Sequence, residues 1–209
     1  MNKIRVISFD AEGTLVSPDF SDAIWHEAIP ALYAQKKGVN INQAKTTVFK
    51  EYDKVGDQRL EWYDIGYWFR LLELGTPDQV IQDCLDKAVY YTEVTEVLSD
   101  LAGRYELIVA SSTHLDFLNY ILRDIKHYFS HIFSSISHYK QVKSTNFYLE
   151  ICKTVNVSPS EVVHVGDNWR LDFLVPKQAG MHAYYLDRSG GNHHESLADL
   201  RQFLSLLPS

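Results

Sequence analysis

The run Ile4-Arg5-Val6-Ile7-Ser8-Phe9, rich in β-branched and aromatic side chains, stops abruptly at Asp10-Ala11-Glu12-Gly13-Thr14-Leu15. The run reads as a buried strand, and Gly13 permits a sharp turn out of it. In a parallel sheet, carboxylates at such a strand end face a ligand crevice. Asp10 and Glu12 are therefore a candidate nucleophile and a candidate acid/base.

The remainder of the chain bears on whether the sheet is parallel. From Ser17 to about Tyr91 the pattern is helical, with helices expected over Asp22 to Lys37, Asn42 to Val55, Ile65 to Leu74 and Pro77 to Tyr90. Gly38 and Gly75 read as stops, and Thr76 as an N-cap with Pro77 in the first helical position. After Tyr91 strands and helices alternate, the pattern of a parallel sheet covered on both faces. Strands are expected at Leu107 to Ala110, Ile132-Phe133, Val162 to Val165 and Ala183 to Leu186. Helices are expected at Leu115 to Leu122, Ser144 to Val155 and Leu197 to Leu206. The expectation is a five-stranded α/β core (residues 1–16 and 92–209) interrupted after its first strand by a helical insertion (17–91).

Composition narrows the partners. The 209 residues are 45% hydrophobic and carry a formal charge of -7, which suits a globular chain and argues against a nucleic-acid duplex or an anionic membrane surface. Cys84 and Cys152 are far apart, lack metal-ligand spacing, and read as buried thiols of a reducing compartment. No apolar run approaches the roughly 18 residues that would span a bilayer. A cytoplasmic protein is the expectation.

Three further polar groups fall on the side of the sheet where Asp10 lies. Ser111 follows the second strand, Gly166-Asp167 the fourth, with Asp172 five residues later, and Lys143 precedes the helix leading into that fourth strand. Carboxylates clustered this closely raise one another's pKa unless a cation sits between them. A hard, oxygen-liganded cation such as Mg²⁺ resolves the conflict and binds phosphate oxygens too. With a carboxylate nucleophile, a lysine and a hydroxyl, the set suits phosphoryl transfer.

This constellation resembles the haloacid dehalogenase-like (HAD) superfamily, and the resemblance covers nearly the whole chain. Asp10-Ala11-Glu12-Gly13-Thr14-Leu15 is similar to the first family motif, Ser111 to the second, Lys143 to the third, and Gly166-Asp167-Asn168-Trp169-Arg170-Leu171-Asp172 to the fourth. The resemblance implies a Rossmann-type core with an inserted helical cap, and a Mg²⁺-dependent phosphatase acting on a small phosphorylated metabolite. It implies Asp10 as nucleophile, Glu12 as acid/base, and metal held by Asp10, the Glu12 backbone carbonyl and Asp167, with Asp172 in the outer shell. Ser111 or the adjacent Ser112 would hold the phosphate with Lys143.

Two positions depart from the phosphatase pattern. Glu12 stands where Asp is usual, and Ser144 where Pro commonly follows the lysine; Ser is a good N-cap for the helix starting there. Ala11 matches the family's metal-independent 2-haloacid dehalogenases, which use the same aspartate on carbon but do not keep both acids of the fourth motif. A third reading, prompted by Glu12, is a catalytically weak member kept for binding or regulation. Within the aromatic-rich insertion, Arg59 and Trp62 are candidate specificity residues, Arg59 with a surface ion pair as its competing fate. His114 reads as a helix N-terminal residue, His193-His194 as solvent-exposed, and Lys140 as the substitute should Lys143 be a loop charge.

Overall fold

The computed structural model describes residues 3–190 and 196–207. Six strands form one wholly parallel sheet: β1 (Val6–Phe9), β2 (Glu106–Ser111), β3 (His131–Ser134), β4 (Val162–Gly166), β5 (His182–Leu186) and β6 (Ser196–Leu197), in the order β3-β2-β1-β4-β5-β6. The chain steps from β1 to one side for β2 and β3, then returns to the other side for β4. This reversal opens a crevice at the carboxyl ends of β1 and β4. Both strands are buried throughout, as central strands of a sheet covered on both faces must be.

The chain divides into two compact units, Met1–Ser17 with Tyr90–Ser209 and Pro18–Val89. The division falls at 17/18 and 89/90 rather than 16/17 and 91/92, because Tyr90 forms an antiparallel bridge with Val16 and the Tyr91 amide donates to Leu15.

Several expected elements are corrected. Among the described residues the core has six strands rather than five: Ser196–Leu197, assigned in part to the closing helix, pairs with β5, and that helix runs only over Leu200–Leu206. Asp199 caps it, accepting from the Gln202 amide at 2.8 Å. Two residues are too few to display a strand period. Between Tyr91 and Leu107, where no element is expected, the helix Val94–Ala102 buries Val94, Val97, Leu98 and Leu101. That spacing is the helical period in full.

In the helical unit, the segment Asp22 to Lys37 is not one regular helix. A π-helical stretch, Ala23–Ala28, precedes the helix Ile29–Lys37. Pro30 has no N–H to donate one turn back, and the widened turn accommodates that loss. The segment Pro77 to Tyr90 holds only the short helix Asp78–Asp83 and a 3₁₀ turn, Leu85–Lys87, with Pro77 rather than Thr76 at the cap position. The helix Ile65–Leu71 ends three residues early, where Glu73 turns left-handed. The helix Ile41–Val55 starts at Asn40, whose side chain accepts from the Gln43 amide.

The core beneath the crevice is aromatic. Phe203 is fully buried and meets Phe9 edge-on at 6.1 Å and Tyr184 at 5.6 Å. Removing a buried aromatic ring leaves a cavity along with the lost transfer energy, so Phe203→Ala should lower unfolding stability by about 3–5 kcal/mol. A urea titration checks this, and a loss below about 1 kcal/mol would place Phe203 outside the cooperative core.

Candidate active site

Asp10 follows β1 directly and extends its ladder, its amide donating to Val165 of β4 at 2.9 Å. Its carboxylate is thereby fixed beside the end of β4, from which Asp167 departs. Asp10, Asp167 and Asp172 each bring a carboxylate oxygen within 4.8 Å of the others. Two glycines make this crowding sterically feasible. A Cβ on Gly13 would stand 2.1 Å from an Asp167 oxygen, and one on Gly166 would stand 2.5 Å from the Asp172 carboxyl carbon. Gly13 also needs its φ of +74°.

Lys143 reaches this cluster and Lys140 does not. The Lys143 ammonium is buried and donates to Asp10 at 2.6 Å and to Asp172 at 2.5 Å, whereas Lys140 lies exposed in the left-handed residue that closes the helix Ser135–Tyr139. Burial works against the Lys143 charge, but Asp10 and then Asp172 more than offset it and hold the ammonium above the usual lysine range. Burial also opposes the charge on Asp172, yet Lys143 and His164 bring that carboxyl well below its usual range. Asp172 additionally accepts from the Asn168 amide at 3.0 Å, a backbone donor that supports its charge. Asp10 is raised, first by burial and then by the Asp172 charge, with Lys143 opposing both. Asp167 is raised too, by the protein packed around it and then by Asp10 and Asp172. Its outer face is open to solvent, which moderates the first of these.

His164 anchors the base of the cluster. It is fully buried in β4 beside Ser8, with Nδ1 2.8 Å from the Ser8 hydroxyl and Nε2 3.2 Å from both Asp172 and the Tyr148 hydroxyl. Burial lowers its pKa. A carboxylate only accepts, so Nε2 carries the proton toward Asp172 and Nδ1 accepts from Ser8. Tyr148 donates to the Leu171 carbonyl at 2.9 Å. A histidine inside the otherwise apolar strand Val162 to Val165 was the sequence sign of this network.

On the other flank, Thr113 links the first two motifs. Its hydroxyl donates to Glu12 at 2.7 Å and accepts from Ser111 at 3.2 Å, while its amide donates to the Ser111 hydroxyl. Ser111 is buried at the end of β2. The adjacent Ser112 hydroxyl is buried and makes no hydrogen bond among the described residues. His114 sits at the N-cap of the helix Leu115–Ile121, its side chain accepting from the Asp116 amide. Arg59 is exposed and paired with Glu61 at 2.6 Å, and Trp62 lies half-buried within the helical unit. His193 and His194 lie outside the described residues.

Arg188, unforeseen in the sequence, clamps the turn after Asp10. It donates to the Gly13 carbonyl at 3.2 Å and the Thr14 carbonyl at 2.7 Å, pairs with buried Glu93 at 2.7 Å, and lies 3.6 Å over the Tyr91 ring. Its place just beyond β5, on the side where strand ends carry Asp10 and Asp167, was the available signal.

The sequence of residues 4–180 matches the haloacid dehalogenase-like hydrolases. The chain belongs to that family. HAD-like hydrolases of known structure share its fold. A HAD phosphatase from Thermococcus onnurineus superposes with a TM-score of 0.86 at 20% identity, covering 97% of each chain. The magnesium-bound HAD-hydrolase YfnB from Bacillus subtilis gives 0.69 at 16% identity, over 98% of this chain and 99% of its own. A 2-haloacid dehalogenase from Pseudomonas syringae pv. Tomato DC3000 gives 0.69 at 22% identity, over 97% of each. No curated protein sequence matches the chain. Among the described residues no helix is long and apolar enough to cross a membrane.

Removing Arg188 from this HAD-like hydrolase would leave the Glu93 carboxylate buried without its ion partner. Loss of one member of such a pair is worth about 3–5 kcal/mol, so Arg188→Ala should lower stability by that order. Arg188→Lys should recover only part, since a lysine ammonium lacks the rigid planar donor array with which the guanidinium serves two carbonyls and Glu93 at once. Thermal unfolding of the two variants tests the clamp; equal midpoints for Arg188→Ala and the parent would remove it.

Proposed function

We propose that the protein is a Mg²⁺-dependent phosphatase of small phosphomonoesters, working through an aspartyl phosphate on Asp10. The observation that carries this reading is the charge balance of the site. Three carboxylates, Asp10, Asp167 and Asp172, face the single ammonium of Lys143, an excess of two negative charges that a divalent cation matches. The donors are all oxygen, which suits Mg²⁺. Asp10, Asp167 and the Glu12 backbone carbonyl would hold the ion, which would neutralise phosphoryl oxygens as Asp10 approaches. Asp172 supports Lys143 rather than the ion.

Lys143 fixes one oxygen of Asp10, and the other attacks phosphorus. The ester P–O bond breaks as the new bond forms, and Glu12 gives its proton to the departing alkoxide. Glu12 then takes a proton from water as that water attacks the aspartyl phosphate, releasing inorganic phosphate and restoring both carboxyl groups. Lys143 has three N–H donors, of which Asp10 and Asp172 take two, and the third is available to an equatorial phosphoryl oxygen. Ser111 and Ser112 supply hydroxyls to the same group. Thr113 orients Glu12, whose added methylene relative to Asp is what Thr113 holds in place. Substrate choice we assign to the helical unit, with Arg59 and Trp62 as its first candidates.

Hydrolysis of an aryl phosphate should require Mg²⁺, stop in chelator, and vanish in Asp10→Asn. Halide release from a 2-haloacid with chelator present would instead place the protein with the dehalogenases. For Glu12, loss of a working acid/base removes roughly 10²- to 10⁴-fold in rate, so Glu12→Gln should reduce turnover by that much while retaining Mg²⁺ binding in calorimetry. Unchanged turnover in Glu12→Gln, with a large gain in Glu12→Asp, would identify a weakly catalytic binding or regulatory member.

A further inference from the structure

The helical unit contains an aromatic-lined space that the hydrolytic chemistry does not use. A cavity of about 210 Å³ is lined by Trp25, His26, Tyr52, Trp62 and Trp68, all within that unit. Trp25 and His26 come from the π-helical stretch, Tyr52 from the helix Ile41–Val55, Trp62 from the 3₁₀ turn Leu60–Tyr63, and Trp68 from the helix Ile65–Leu71. Tyr52 and Trp68 are the deepest, both buried.

The polar ends of those two rings are already engaged. The Tyr52 hydroxyl donates to the Trp25 carbonyl at 3.2 Å, and the Trp68 indole N–H donates to the Trp62 carbonyl at 3.1 Å. These bonds tie the lining segments to one another and leave π surface, not hydrogen-bonding groups, as what these two rings offer to a guest. The rings also meet at steep angles: Tyr52 stands at 86° to Trp25, 69° to Trp62 and 76° to Trp68. Rings standing steeply against the Tyr52 ring form a box corner with it, which suits a rounded cation held by ring faces within about 6 Å.

Charge points the same way. Residues 18–89 carry twelve Asp and Glu against eight Lys and Arg. At the histidine wall, Nδ1 of His26 lies 3.3 Å from the Asp22 carboxylate, and the imidazole meets the Phe49 ring at 88°.

We propose that this aromatic pocket binds an alkylated ammonium group, a quaternary or N-methylated amine. The guest is either the tail of the hydrolase's own substrate or a separate small effector.

The test titrates the full-length protein into tetramethylammonium chloride and follows the methyl proton signal by NMR. The expected result is a saturable upfield shift, the mark of methyl groups over ring faces, with tert-butanol, the neutral isostere, binding more weakly. Loss of one ring face from such a site corresponds to about 2- to 30-fold weaker binding. Trp25→Leu and Trp62→Leu should show this while circular dichroism stays native, and Trp62→Phe should keep most of the affinity. If the leucine variants fail to fold, the phenylalanine variant and the comparison of cation with isostere decide. Absence of saturation, equal binding of tert-butanol, or native affinity in folded leucine variants would overturn the proposal.

This arm measures binding alone, so its failure and failure of the phosphatase reading are separately visible. Two phosphomonoesters of equal length, ending in trimethylammonium or in tert-butyl, then identify the source. Preference for the charged ester, with tetramethylammonium competing against it, assigns the pocket to substrate. Saturable binding without competition assigns it to an effector.

Discussion

One buried ammonium between two carboxylates organises the crevice. Lys143 arrives from the loop ahead of a helix, Asp10 from the end of β1, and Asp172 from the π-helical turn Trp169–Leu174 beyond β4. Three separated segments are thereby locked at one point. Removing any one partner would leave an uncompensated charge out of water, a far larger penalty than the net worth of the pair. The same arrangement leaves Asp10 imperfectly neutralised, because its cation is shared with an Asp172 that His164 and the Asn168 amide also serve. An incompletely compensated carboxylate at a strand end has a use for a further cation.

The backbone gives way to these side chains rather than the reverse. At Gly13 the Asp167 carboxylate occupies the space where a Cβ would stand, so the first and fourth motifs fit into one another, and at Gly166 the Asp172 carboxylate does the same within the fourth. Arg188 then pins the turn after Asp10 by its carbonyls, with Glu93 behind it. Because Tyr91 and Glu93 sit where the chain re-enters the core after the helical insertion, the clamp joins the turn after Asp10 to that re-entry segment. Similar logic runs through the flank formed by Ser111, Thr113 and Glu12, where one threonine hydroxyl connects a carboxyl group to a strand end.

The helical unit is built differently. Its interior is held by aromatic edges and faces around Tyr52 and Trp68, with backbone carbonyls absorbing their polar atoms. Such rings are rigid and wide, so four of them around one point leave space between them more readily than flexible aliphatic chains would.

Much of this was legible in the sequence because it is local. The strand Ile4 to Phe9, the capping serine Ser144, the stop at Gly38, and the acidic and basic residues at strand ends all show in a few neighbouring letters, since period, cap and turn chemistry are short-range. The order of the motifs was enough to point to the family. A two-residue strand at Ser196–Leu197 left no such trace, because it exists only where a neighbouring strand demands it. The same holds for function. That Asp10, Asp167, Asp172 and Lys143 lie at or beside strand ends on one side of the sheet was written in their type and place. That Lys143 takes two of the three carboxylates, that Thr113 holds Glu12, that His164 supports Asp172 and that Arg188 grips the turn after Asp10 were decided by tertiary structure alone. Those contacts join residues as far as 175 positions apart, and only the closing of the sheet brings them within hydrogen-bonding distance.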